Sequence, residues 1–135
     1  MTPEVEAILR VLLAVVLGAA IGFQRERVGK PAGLRTHALI ALGSALFTVV
    51  SIFGFGIGAD PSRVAAGIVT GIGFIGAGVI FRGLRRDGAV VGLTTAASIW
   101  TAAAVGLAAG TGMYLIALIV TVITVGVLML PKVRG

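Results

Sequence analysis

Apolar residues run in five blocks, Val5–Phe23, Thr36–Gly56, Val64–Phe81, Ala89–Ala109 and Met113–Leu130, separated by short basic or glycine-containing connectors. A run of ~20 such residues, wound as a helix, covers the ~30 Å hydrocarbon core of a bilayer. Period-two alternation, the mark of half-buried strands, is missing, and lipid requires each segment to satisfy its own backbone hydrogen bonds. The pattern therefore predicts an all-α, polytopic membrane bundle of five transmembrane helices. Starts and stops support these limits. Asp60 is a good N-cap with Pro61 at the first helical position, where a missing N–H is harmless. Gly110-Thr111-Gly112 closes the fourth span in a turn so short that spans four and five must be antiparallel neighbours.

Composition removes the soluble alternative. The 135 residues are 58% hydrophobic and only 12% charged, against ~25% charged in a soluble domain. A fold of this size has too few polar side chains to cover its own surface in water, so lipid takes that role. The spans leave only short connectors, which predicts a single membrane domain over residues 1–135 with no C-terminal soluble domain. The chain has no cysteine and one histidine, which excludes disulfides and thiolate chemistry and argues against a His-based zinc site.

A net charge of +6 would suggest nucleic acid in a soluble protein. Here the basic residues sit in connectors between spans, and retention of positive charge on the cytoplasmic side explains them without that partner. Arg25, Arg27, Lys30 and Arg35 follow span one, Arg82, Arg85 and Arg86 follow span three, and Lys132 and Arg134 form the tail. The opposite side holds Glu4, Glu6, the Asp60-Pro61-Ser62-Arg63 turn and Arg10, one turn from Glu6 and placed to pair with it. This asymmetry predicts an N-out, C-in orientation. Glu4 and Glu6 make the leader acidic, unlike a cleaved signal.

Small residues fall into helical stripes that permit close backbone approach. In span three Gly67, Gly71 and Gly78 form one line, and Gly73, Gly76 and Ala77 another, which predicts a central helix packed against two neighbours or a homo-oligomer contact. Span four offers Gly92, Ala96, Ala103 and Gly110, and span one Ala14, Gly18 and Gly22. Polar residues also align: His37, Ser44, Thr48 and Ser51 in span two, and Thr94, Ser98 and Thr101 in span four. The two hydroxyl faces could border a polar path, although the simpler expectation is that each hydroxyl bonds its own helix at i−4.

No carboxylate lies in the middle of a span, which weakens a proton- or cation-coupled transporter. His37 is the only internal titrating group, and a structural hydrogen bond is the expectation there over a proton switch. Glu26, among Arg25, Arg27 and Lys30, reads equally as charge compensation or as a functional contact. The two basic loops could together hold an anionic lipid headgroup or an acidic partner. Gly71-Ile72-Gly73-Phe74-Ile75-Gly76 fits a dinucleotide motif by letters alone, inside a span and without a preceding strand, and is set aside. Gly92-Leu93 before Thr94-Thr95 suggests a helix that begins inside the membrane and points free N–H groups at a buried anion or carbonyl; a continuous span four from Ala89 is the main expectation. No internal nucleophile–base pair or metal cluster stands out, so no enzyme is expected.

Four ordered segments, Gly18–Arg27 (GAAIGFQRER), Gly33–Ser51 (GLRTHALIALGSALFTVVS), Asp60–Arg82 (DPSRVAAGIVTGIGFIGAGVIFR) and Gly92–Gly110 (GLTTAASIWTAAAVGLAAG), resemble the MgtC/SapB family membrane domain over nearly the whole chain. The resemblance implies a bacterial inner-membrane protein concerned with magnesium and membrane-energy homeostasis under low magnesium. It also implies a regulator that contacts a membrane partner, the ATP synthase or a magnesium-pumping ATPase, with a small oligomeric cation channel or transporter as the alternative. It implies no cofactor and leaves direct Mg2+ binding open. Positions matching the family pattern are Arg25, Glu26, Arg35, Thr36, Asp60, Arg82, Thr94 and Thr95. Gln24 stands where an acidic residue is common, Gly67 where glutamine is usual, and Thr94 where virulence-associated members carry asparagine. The resemblance is to their membrane domain, and no counterpart of their cytoplasmic C-terminal domain is expected.

Overall fold

A computed structural model describes residues 2–82 and 91–131, Phe81 and Arg82 by backbone alone. The described residues form five helices: α1 (Pro3–Arg27), α2 (Leu34–Phe53), α3 (Ser62–Arg82), α4 (Leu93–Gly110) and α5 (Tyr114–Leu128). The predicted Arg85, Arg86, Lys132 and Arg134, the side chain of Arg82 and the expected helical start at Ala89 lie outside the described residues.

Local chemistry sets the ends. The Thr2 hydroxyl accepts from the Val5 amide at 3.2 Å, Pro3 opens α1, Glu4 and Glu6 fill its first turn and Arg25 and Arg27 its last, which complements the helix dipole. The Asp60 carboxylate accepts from the Ser62 amide at 3.0 Å and the Ser62 hydroxyl at 2.7 Å, so the expected cap is present, with α3 starting at Ser62. Those two bonds hold the exposed Asp60 carboxyl below the usual carboxylate range, the hydroxyl contributing most. Gly112, at φ +90°, makes the tight turn between α4 and α5, where a side chain would also meet the Arg10 guanidinium.

Four helices, α1 to α4, are long and apolar enough to cross a membrane. The fifth expected span is shorter than predicted: α5 has 15 residues, about 22 Å of helix. It nevertheless returns to the end of the bundle where α1 finishes, because the Leu128 carbonyl accepts from the Gln24 side-chain amide at 3.2 Å.

The centre of the bundle corrects a second expectation. α4 touches all four other helices, and its Ile99, Ala102, Val105 and Ala109 are at most 1% exposed. α3, predicted to be central, packs on α4, barely meets α2 and is exposed along most of its length. A Cβ at Gly67, Gly71, Gly73 or Gly78 would meet nothing within 4 Å; Gly76 alone of this set faces a neighbour, Ala96. The glycines that allow close approach are on α1 and α4. A Cβ on Gly18 would lie 2.6 Å from the Ala41 Cβ and the His37 carbonyl, one on Gly110 would lie 2.8 Å from Thr48, and one on Gly106 would collide with the Ala41 carbonyl. Only backbone fits there, and with Ala14, Ala41, Ala45 and Ala117 fully buried, α1, α2 and α4 approach closely enough for dispersion and interhelical hydrogen bonds to hold them.

At the end bearing Glu6, Arg10 fastens three helices. Its guanidinium pairs with Glu6 at 3.1 Å, donates to the Gly110 carbonyl at 2.9 Å and lies 5.1 Å from the Phe53 ring centroid. Tyr114 donates to the same Glu6 oxygen at 2.6 Å.

Candidate functional site at the basic end of the bundle

The opposite end gathers most of the predicted polar residues. Gly22 brings α1 against the start of α2: a Cβ there would lie 2.6 Å from the Gly33 carbonyl. That approach lets Glu26, in the last turn of α1, accept from the Leu34 amide at 3.3 Å. The N-cap of α2 is Gly33, which offers no side chain, so a carboxylate from the preceding helix supplies the missing acceptor.

One turn into α2, His37 is fully buried. Its Nδ1 donates to the Gly33 carbonyl at 2.9 Å and its Nε2 lies 2.8 Å from the Ser98 hydroxyl of α4. A carbonyl only accepts, so Nδ1 carries hydrogen and the neutral ring accepts at Nε2 from Ser98. The same hydroxyl has a second acceptor, the Thr95 carbonyl at 2.8 Å. Thr95 is buried too, and its hydroxyl accepts from the Arg25 guanidinium at 2.9 Å. Arg25, Thr95, Ser98, His37 and Gly33 thus form one continuous network joining α1, α2 and α4.

Arg25 is the outlier. It is 3% exposed and, among the described residues, its Nε has no hydrogen-bond partner. The ion pair found among the described residues is Arg10–Glu6, at the other end. The guanidinium rests on the first turn of α4, whose N-cap is Gly92 in the left-handed region at φ +89°, without a side-chain cap bond. This corrects the expectation of a span four continuous from Ala89: Val91 and Gly92 are not helical, and the helix starts at Leu93. Thr94 and Thr95 form its first turn and do not cap it.

The remaining candidates separate. Arg35 and Thr36 are exposed beside His37, Thr94 is exposed, and Asp60 is at the far end of the bundle. Thr94 borders a cleft of about 500 Å3 between α4 and α5 that Ser98, Thr101 and Thr124 also line. The hydroxyl faces of α2 and α4 meet, and the hydroxyls of Ser44, Thr48, Ser98 and Thr101 are engaged in hydrogen bonds. Thr48 and Thr101 bond their own helices at i−4, as the simpler reading expects, whereas Ser44 donates across to the Ala103 carbonyl at 2.6 Å. Sequence reasoning placed Ser98 on the polar face of α4 without including it among the site candidates, and missed Gly33 and Gly106. The His37–Ser44–Thr48–Ser51 stripe shows that α2 has a polar side; nothing in the spacing says that Ser98 stands opposite His37.

The chain matches the MgtC family over residues 11–134. It belongs to that family. This MgtC-family chain is a membrane protein, with helices of the required length and hydropathy. It is 52% identical over 130 residues to the "Putative magnesium transporter YhiD" of Escherichia coli (strain K12), covering 91% of this chain and 59% of that protein. It is 46% identical over 123 residues to Protein MgtC of Brucella abortus (strain 2308), covering 90% and 50%. Protein SapB of Bacillus subtilis (strain 168) is 43% identical over 116 residues, covering 81% and 49%. The chain therefore spans half to six-tenths of the length of these relatives. No solved structure matches it.

Proposed function

We propose that this MgtC-family chain is a non-enzymatic module of the bacterial inner membrane that acts in magnesium and membrane-energy homeostasis by contacting a membrane partner. The observation that carries the reading is where the polar groups go. His37, Ser44, Thr48, Thr95 and Ser98 are buried and engaged in bonds within or between α1, α2 and α4, and small residues close the space between these helices. Such an interior supports a scaffold. α3 meanwhile leaves most of its apolar surface free in a single chain, which suits contact with another membrane protein, the ATP synthase or a magnesium-pumping ATPase by family resemblance, or with a second copy. The magnesium connection rests on the family and on the name of YhiD.

The cleft between α4 and α5 favours a second reading, a small oligomeric carrier or channel for a cation. Thr94, Ser98, Thr101 and Thr124 are among its lining residues, and oxygen ligands suit Mg2+. The two readings separate in liposomes that hold the purified protein and a trapped magnesium indicator. Flux no greater than in protein-free vesicles is the expected result. Saturable flux that falls in a Thr101→Val/Thr124→Val double variant would replace the scaffold with a transporter.

A further inference from the structure

We infer that Arg25 and the first turn of α4 form a binding site for a phosphate oxyanion, supplied by a lipid headgroup or by free phosphate. The inference is independent of the function proposed above.

Two observations converge on this place. The first is the state of Arg25. A guanidinium carries five N–H donors and a permanent charge, and burying it without an anion is among the most expensive arrangements in a membrane protein. Here it is 3% exposed, one Nη donates to the neutral Thr95 hydroxyl, and Nε donates to nothing among the described residues. A buried donor left open in an otherwise bonded network marks the place of a missing acceptor.

The second is the helix against which Arg25 rests. α4 begins at Leu93 behind a left-handed glycine that contributes no side-chain cap. The first intrahelical bond runs from Ala96 to the Gly92 carbonyl, so the preceding first-turn amides carry the positive end of the dipole of an 18-residue helix. A Cβ on Gly92 would lie 3.3 Å from the Val79 carbonyl of α3, so glycine is needed both for the backbone angle and for the close approach. A buried guanidinium and a helix N-terminus are the two protein groups that bind phosphate best, the first through paired N–H donors and the second through backbone amides.

Charge in the neighbourhood points the same way. Arg27, Lys30 and Arg35 surround this end of α1 and α2. The carboxylate among them, Glu26, is engaged at the Leu34 amide. The end of the bundle is cationic, and a bilayer presents phosphate at that depth.

The test uses the full chain, purified and delipidated in maltoside, with unfolding followed by Trp100, its single tryptophan. Inorganic phosphate and phosphatidylglycerol are added separately against chloride at matched ionic strength. A raised melting temperature with phosphatidylglycerol alone assigns the site to a headgroup; a rise with inorganic phosphate assigns it to a soluble anion; either supports the inference. Arg25→Gln should weaken binding about 10- to 100-fold, and Arg63→Gln, at the opposite end of the bundle, should leave it unchanged. If Arg25→Gln does not fold, Thr95→Val keeps the charge, removes the hydroxyl that holds it and should weaken binding several-fold. No rise with either probe in folded wild-type protein would overturn the inference. So would an undiminished rise in Arg25→Gln, or a rise seen only in Asp87→Asn, which would give the site to a carboxylate of the chain itself.

Discussion

Ser98 has one proton and two acceptors within reach, the His37 ring at 2.8 Å and the Thr95 carbonyl at 2.8 Å, so it ties the histidine of α2 to the turn of α4 that holds Arg25. Ser98→Ala leaves Nε2 buried without a donor and should destabilise the protein by about 1–3 kcal/mol. Since His37 is the only histidine, its 15N signals can be read without assignment. Wild type should show the Nδ1–H tautomer, and Ser98→Ala should keep it, because the Gly33 carbonyl still accepts from Nδ1, while shifting the signal of Nε2, which loses its donor; a mixed signal in wild type would refute the bonding scheme. At the far end, Asp60 gives a pH dependence of known sign. Its carboxyl is held below the usual range by the Ser62 hydroxyl and amide, so its contribution to the start of α3 is complete above the ordinary aspartate value of ~3.9 and is lost as pH falls through the depressed one. Amide exchange at residues 62–66 should be faster in Asp60→Asn than in wild type at pH 6, and the difference should vanish in strong acid. Asp60 was legible from the sequence because a cap acts on its own neighbours. Arg25 was legible only as a charge: its burial depends on Thr95, 70 positions away.

Among the helices, what was readable follows the same division. Hydropathy located five elements to within a few residues, and it could not say which is central, because a glycine stripe facing lipid and one facing a helix look alike in a sequence. The richest stripe, on α3, faces outward in a single chain, while Gly106 of α4, outside the stripes read from spacing, lies against the Ala41 backbone. Gly106→Ala should therefore cost about 1–3 kcal/mol, since the collision is with a carbonyl that cannot rotate away. Gly67→Ala, which meets open space, should leave unfolding of the monomer unchanged or raise its midpoint slightly through helix propensity. A change of oligomeric state in Gly67→Ala alone would instead mean that the α3 stripe is used between copies. The start of α2 is a further element whose support lies elsewhere in the chain. Glu26→Ala removes the acceptor for the Leu34 amide and should fray the first turn, with faster amide exchange at residues 34–37 and a loss of no more than about 1 kcal/mol, because the side chain is exposed. Glu26→Gln should retain part of the effect.

Across the whole molecule the helices alternate in direction and sort charge between two ends. Glu6, the ends of α2 and α4, and the start of α5 share one end through Arg10 and Tyr114. Arg25, Arg27, Lys30 and Arg35 share the other with the start of α4 and, through Gln24, the end of α5. The short α5 thus completes the alternation, although its helix alone would not reach across a full hydrocarbon core. Which end faces the cytoplasm follows from charge: basic connectors resist translocation, so the Arg25–Arg35 end should lie inside and the Asp60 turn outside. The chain has no cysteine, which permits a clean measurement. Lys30→Cys and Ala59→Cys each introduce one thiol in an exposed connector. In intact cells with a permeable outer layer, a membrane-impermeant maleimide should label position 59 at once and position 30 only after the inner membrane is opened. The reverse pattern would turn the bundle over and put the Arg25 site on the outer face. The phosphate it binds would then come from the outer leaflet or the surrounding medium, out of contact with any cytoplasmic pool. The orientation therefore decides what Arg25 can meet.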